Sequence, residues 1–230
     1  METIADNINF IKNKINSAAN GREVKLIAVT KTFSADCVKE ALECDITDIA
    51  ESKIQEALPK FDILKDKLND ICKHFIGHLQ SNKAKKAVLN FDLIQSLDSI
   101  DLAKDINRHA EDVNKIQKCL IELKVSEEET KTGACEDKVF EIYKYCTQNC
   151  KNISINGIMT IAPYFEDKEK VRPYFKKAFE VFTNLQKESK DNNFKILSMG
   201  MSDDFEIAIQ EGSNMVRVGT AIFGERNYDK

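Results

Sequence analysis

A chain of 230 residues, 42% hydrophobic and 31% charged, is long enough for one sizeable core and short for two full domains. Its net charge of -4 carries no block of like charges, which argues against nucleic acid or an anionic membrane as partner. The acidic start Met1-Glu2-Thr3 and the lack of a long apolar run argue against a secretion signal or a membrane span, and the seven cysteines lack CxxC spacing, so a cytoplasmic protein with reduced thiols is expected.

In chain order, Ile4, Ile8, Ile11 and Ile15 lay one apolar stripe along an opening helix that Gly21 closes. The run from Leu26 to Phe33 is rich in β-branched residues, too short for a stand-alone helix, and followed by a helical segment with Ser34 as cap, so it reads as a buried strand. Further strands are expected at Asp45–Ala50, His74–Leu79, Phe91–Leu97, Lys118–Val125, Ser154–Ile161, Phe194–Ser198 and Met215–Thr220. Helices separate them: one carrying Ala57, Leu58, Ile63 and Leu68, a basic one from Ser81 to Leu89, and one from Ile100 to Val113. Beyond a loop from Ser126 to Gly133 come one with Val139, Ile142, Cys146 and Cys150 on one side, one from Val171 past Leu185, and one starting at Ser202-Asp203-Asp204. Eight such alternations with no repeat and no linker predict an α/β fold, a single (β/α)8 TIM barrel over residues 1–230 with the first helix as an N-terminal addition. A doubly wound open sheet is the competing architecture.

Two charged residues break the apolar inner rows. On a period of two, Lys31 continues the row of Ile27 and Val29, and Arg217 lies in the row of Met215 and Gly219. An ammonium at such a place must reach water, meet an anion or lose its charge in covalent chemistry; a lysine that merely reaches solvent at a strand end is the plain reading. A guanidinium keeps its proton and needs an acceptor, for which a structural ion pair with Glu122 is the plain reading. Phosphate in such barrels is often held after strands 7 and 8. Ser198 and Gly219-Thr220 stand at those strand ends, while Ser202 reads as a helix cap. A lysine, an inward arginine and a phosphate cradle are the parts needed to hold an aldehyde that bears a phosphate, and pyridoxal 5'-phosphate (PLP) is such a molecule.

The same residues resemble a known family, the pyridoxal phosphate homeostasis proteins of the YggS/PROSC type, whose fold is that of the N-terminal barrel of alanine racemase. The markers are Ala28-Val29-Thr30-Lys31, Glu51-Ser52-Lys53-Ile54-Gln55-Glu56, His74-Phe75-Ile76-Gly77-His78-Leu79-Gln80-Ser81-Asn82-Lys83, Thr130-Lys131-Thr132-Gly133, Gly157 to Pro163, Leu197 to Asp204 and Met215 to Gly224. The resemblance implies Lys31 as the lysine that forms a Schiff base with PLP, Arg217 facing the pyridine nitrogen, and Ser198, Gly219 and Thr220 around the phosphate. This chain departs from the family pattern at Ala50-Glu51-Ser52, where Gly-Glu-Asn is usual, so Ser52 stands where an amide is expected near the ring. Lys124 replaces the usual Asn on the fifth strand and is a candidate second amine.

An arginine at the pyridine nitrogen weakens the ring as an electron sink, and a racemase needs a second base, which the alanine racemase resemblance places in a separate C-terminal domain. The expectation is therefore a protein that binds, buffers and delivers PLP without substantial catalysis, as a monomer, with PLP-dependent apo-enzymes as candidate recipients. A single-domain amino-acid racemase using Tyr164, Lys124 or water as second base is the alternative, and a Schiff-base lyase acting on a sugar phosphate is a third. His74 and His78, about 13 Å apart on one strand, are too far apart to share a metal ion, and no metal is expected. Cys146 and Cys150 read as core thiols, and Lys83, Lys85 and Lys86 as a solvated helix face.

Overall fold

The computed structural model describes residues 3–126, 132–189 and 191–225; most of the expected 126–133 loop lies outside these. Eight parallel strands pair in sequence order and the last pairs with the first: β1 (Lys25–Val29), β2 (Asp48–Glu51), β3 (Cys72–Phe75), β4 (Leu93–Leu97), β5 (Gln117–Leu123), β6 (Ile153–Thr160), β7 (Ile196–Ser198) and β8 (Met215–Val218) close a barrel. This is the (β/α)8 architecture expected, and the open sheet is excluded.

The helices follow from their apolar spacing. α1 (Ile4–Ala19) is the N-terminal addition; it starts on a capping box between Thr3 and Asp6, and Asn20 and Gly21 end it with positive φ. Its buried Ile8, Ile11 and Ile15 pack against α2 (Ala35–Leu42), α8 (Phe205–Gln210) and α9 (Thr220–Phe223), outside the β8–β1 seam. Ser34 caps α2 as expected. The remaining helices are α3 (Ile54–Leu64), α4 (Ala84–Asn90), α5 (Ile100–Asp112), α6 (Glu136–Asn149) and α7 (Arg172–Glu188). Val139, Ile142, Cys146 and Cys150 are buried together, so the two thiols are core residues.

Three local expectations are corrected. The third strand is Cys72–Phe75 rather than His74–Leu79, because the chain turns at Gly77, where a Cβ would lie 2.0 Å from the Ser52 carbonyl oxygen. His78 therefore belongs to a loop and pairs with Asp98 at 3.5 Å. The basic helix starts at Ala84 rather than Ser81, which opens a 3-10 turn, and Ser202 is not a helix cap: α8 starts at Phe205 after Asp204.

The barrel interior is a small cluster of Ile27, Val29, Ala50, Leu93, Leu120, Met159 and Met215, separate from the larger apolar layer between strands and helices. Met159 reaches it through a bulge: Cys119 pairs with Ile155 and Leu120 with Gly157, so Asn156 is an extra residue that reverses the alternation of β6. Gly157 has φ 151°, and a Cβ there would meet the Ile196 carbonyl oxygen at 1.8 Å. Among the described residues, no helix is long and apolar enough to cross a membrane.

Candidate functional site

At the C-terminal ends of the strands the polar residues converge. Ile27 of β1 pairs with Arg217 of β8, which confirms that Arg217 shares the inward row with Met215. Its guanidinium, 3% exposed, donates from Nη1 to Ser198 Oγ at 2.7 Å and from Nη2 to the Thr160 carbonyl at 2.9 Å. Ser198 and Thr160 are the last residues of β7 and β6, so the guanidinium lies at the rim of the barrel core. Burial pushes Arg217 down to about 10 while Asp204 and Glu122 hold it up, so it stays charged at neutral pH. Its hydrogen bonds go to Ser198 and Thr160, and Glu122 acts on it through charge.

Ser198, a phosphate candidate by its place at a strand end, is fully buried beneath Arg217, its hydroxyl donating to Gln95 Oε1 at 2.7 Å. The hydroxyl that meets the start of α9 is that of Ser202, which accepts from the amides of Gly219 at 3.3 Å and Ala221 at 3.2 Å. Gly219 is buried and Thr220 is exposed as the first residue of α9. The Gly219 and Ala221 amides are thus both satisfied by Ser202 Oγ, whose own proton is left to donate.

Lys31 stands two residues past the end of β1, half-buried, in a turn where Thr32 adopts φ 70°. The turn is gripped on both sides. Thr30 donates its hydroxyl to Glu51 Oε1 at 2.7 Å, Lys60 Nζ donates to the Thr30 carbonyl at 2.7 Å, and the Thr32 amide donates to Glu56 Oε1. Lys60 and Glu51 form a buried ion pair at 2.6 Å. Burial raises Glu51 and the Lys60 charge opposes this, while Glu51 Oε2 has no hydrogen-bond partner among the described residues. Ser52 follows directly, half-buried at a bend.

Across the mouth, Glu122 of β5 accepts from Thr132 Oγ1 at 2.7 Å, and burial raises its carboxyl. Lys124 is half-buried just beyond β5, and Tyr164 is 79% exposed in the loop after β6. Lys60 and Gln95 were not singled out in the sequence. Lys60 carried a signal, since Ile54, Ala57, Lys60 and Leu64 are spaced as one helical face and a lysine on that stripe needs an acid.

Pyridoxal phosphate, with an aldehyde and a dianionic phosphate, fits this donor set: a lysine on a braced turn, a hydroxyl held by two backbone amides, and a buried guanidinium at the rim of the barrel.

A family model described as the N-terminal domain of alanine racemase matches residues 1–227. The pyridoxal phosphate homeostasis protein of Aquifex aeolicus is 43% identical over 204 residues, 89% of this chain and 88% of that protein. PipY of Synechococcus elongatus PCC7942, solved with PLP bound, superposes with a TM-score of 0.85 at 31% identity, covering 96% of this chain and 100% of that one. An alanine racemase of Clostridium difficile 630 is alike in fold alone, with a TM-score of 0.70 at 18% identity over 97% of this chain and 58% of its own. On the barrel, the family match and these relatives, the chain belongs to the alanine racemase N-terminal domain family, among the pyridoxal phosphate homeostasis proteins.

Proposed function

We propose that this protein binds PLP covalently at Lys31 and takes part in intracellular PLP homeostasis as a carrier rather than a catalyst. The observation that carries the reading is the buried Arg217, fixed by Ser198 and Thr160 at the rim of the barrel on β8, the strand paired with the β1 that leads to Lys31. The Lys31 amine and the aldehyde form an imine with loss of one water. The Ser202 hydroxyl, its oxygen held by the Gly219 and Ala221 amides, donates to the phosphate, with Thr220 at the open side. Ser52 stands beside the ring, and Arg217 faces the pyridine nitrogen. Bound PLP supplies an electrophilic carbon and an electron-withdrawing ring; a guanidinium that keeps its own proton leaves that nitrogen unprotonated and the ring a weak sink.

The recipients are PLP-dependent apo-enzymes, and the protein acts as a monomer. The alternative, a single-domain racemase, needs a base on each face of the substrate carbon, with Lys124 or Tyr164 as the second. Borohydride reduction of the PLP-loaded protein followed by peptide mass mapping tests the covalent claim: one pyridoxyl group on Lys31 is expected, and a group on Lys124 or none overturns it. Chiral analysis after incubation with L-alanine and other L-amino acids tests the rest. Turnover abolished by Lys31→Ala would replace the carrier with the racemase.

A further inference from the structure

The opposite end of the barrel holds a second cluster of chemically capable side chains. Asp48 of β2 pairs in register with Cys72 of β3, and His74 follows two residues later on the same inward face. One ligand atom from each, a carboxylate oxygen, Sγ and an imidazole nitrogen, all lie within 4.8 Å of one another. Asp48 and His74 are buried, Cys72 is half-buried, and all three border a cavity of about 560 Å³ at the N-terminal mouth. A cation already rests there: Lys25 Nζ lies 3.1 Å from Asp48 Oδ2, on a side chain that is 47% exposed and free to swing into solvent.

We propose that Asp48, Cys72 and His74 form a three-ligand site for a borderline transition-metal ion such as Zn²⁺, with its fourth position open to the cavity. The donor set selects the ion class, since thiolate and imidazole favour zinc-like ions over magnesium or calcium. Metal–ligand distances of about 2.0–2.3 Å put tetrahedral ligand atoms about 3.5 Å apart. The 2.9 Å between His74 Nε2 and Asp48 Oδ1 therefore opens by roughly half an ångström as the ion inserts.

The supporting contacts are in place. Thr47 Oγ1 donates to Asp48 Oδ2 at 2.7 Å, and Gln95 Nε2 lies 2.8 Å from His74 Nδ1. Loading replaces one proton, that of the Cys72 thiol. The proton of His74 moves from Nε2 to Nδ1, and the Gln95 amide turns over to accept it.

A nucleophilic role for the thiol does not fit. Both ring nitrogens of His74 are engaged, by Asp48 and Gln95, and burial together with Asp48 and Asp92 pushes Cys72 up to about 12.

The three ligands are none of the residues assigned to PLP, and a cobalt band reads the metal directly, whatever the outcome of the cofactor reading. Protein stripped with a chelator and kept reduced is titrated with Co²⁺. One equivalent is expected to bring a sulfur-to-cobalt charge-transfer band with the intense visible bands of tetrahedral Co²⁺, bleached by Zn²⁺. Cys72→Ser is expected to lose the charge-transfer band and at least tenfold in affinity while keeping its far-ultraviolet circular dichroism and its PLP loading. Lys25→Gln, which removes the competing ammonium, should bind several-fold tighter, and Cys135→Ser should match the wild type. No charge-transfer band in the wild type, or the same band in Cys72→Ser, overturns the proposal.

Discussion

Arg217 and Asp48, at opposite ends of the barrel interior, terminate one directed row of hydrogen bonds. Arg217 donates to Ser198 at 2.7 Å, Ser198 to Gln95 at 2.7 Å, Gln95 to His74 at 2.8 Å and His74 to Asp48 at 2.9 Å. The row starts on a cation and ends on a carboxylate, so each donor points the same way and each member fixes the next. Gln95 is fully buried at its middle.

Gln95→Leu leaves the Ser198 proton and His74 Nδ1 without partners and is expected to destabilise the fold by about 2–4 kcal/mol in urea unfolding. Combined with Ser198→Ala it should be non-additive by more than about 0.5 kcal/mol, because the second change removes a group that the first has already stranded. Strict additivity would mean that the row is four separate bonds.

Lys60→Met leaves Glu51 buried without its counter-charge and frees the Thr30 carbonyl. A loss of about 3–5 kcal/mol is expected, read by urea unfolding. Glu51→Leu added to Lys60→Met should restore most of it, since an uncompensated carboxylate costs more than an apolar pair. Lys31 should then load PLP more slowly even in the stable double variant, because Thr30 has lost both side-chain partners.

Ser202→Ala removes the oxygen on which the Gly219 and Ala221 amides converge. PLP affinity should fall about tenfold, the size of one charge-assisted hydrogen bond, while pyridoxal, which lacks the phosphate, should bind as it does to the wild type. Equal losses for both ligands in equilibrium dialysis would take Ser202 out of the phosphate seat.

Glu122 is 4% exposed, and its carboxyl is raised by burial. A raised carboxyl binds its proton more tightly in the native state, so its contribution to stability falls as pH rises from the unfolded value near 4.3 through the native one. Glu122→Gln does not titrate, and its stability relative to wild type should improve between pH 4.5 and 7.5, by at most about 1.4 kcal/mol per pH unit. The same variant-to-wild-type difference at both pH values would contradict the shift.

The inner rows of β1 and β8 were legible because alternation is local: Ile27 and Val29, then Met215 and Arg217, face inward as a period of two dictates. The barrel itself was legible from eight alternations. What a single sequence hides is register. Nothing local says that Asp48 lies beside Cys72, or that one extra residue at Asn156 reverses β6 and brings in Met159. The surroundings of Ser198 and Ser202 were hidden for a related reason. Ser198 ends the seventh strand and Ser202 follows it, and only the packing of β7 against β8 decides that one lies under Arg217 and the other against α9.

Covalent capture of PLP by Lys31 is read from a visible absorption spectrum taken after PLP is added and the excess removed, wild type beside Lys31→Ala. A yellow imine band is expected in the wild type and none in the variant. A band of equal strength in Lys31→Ala, or no band in either protein, would contradict it.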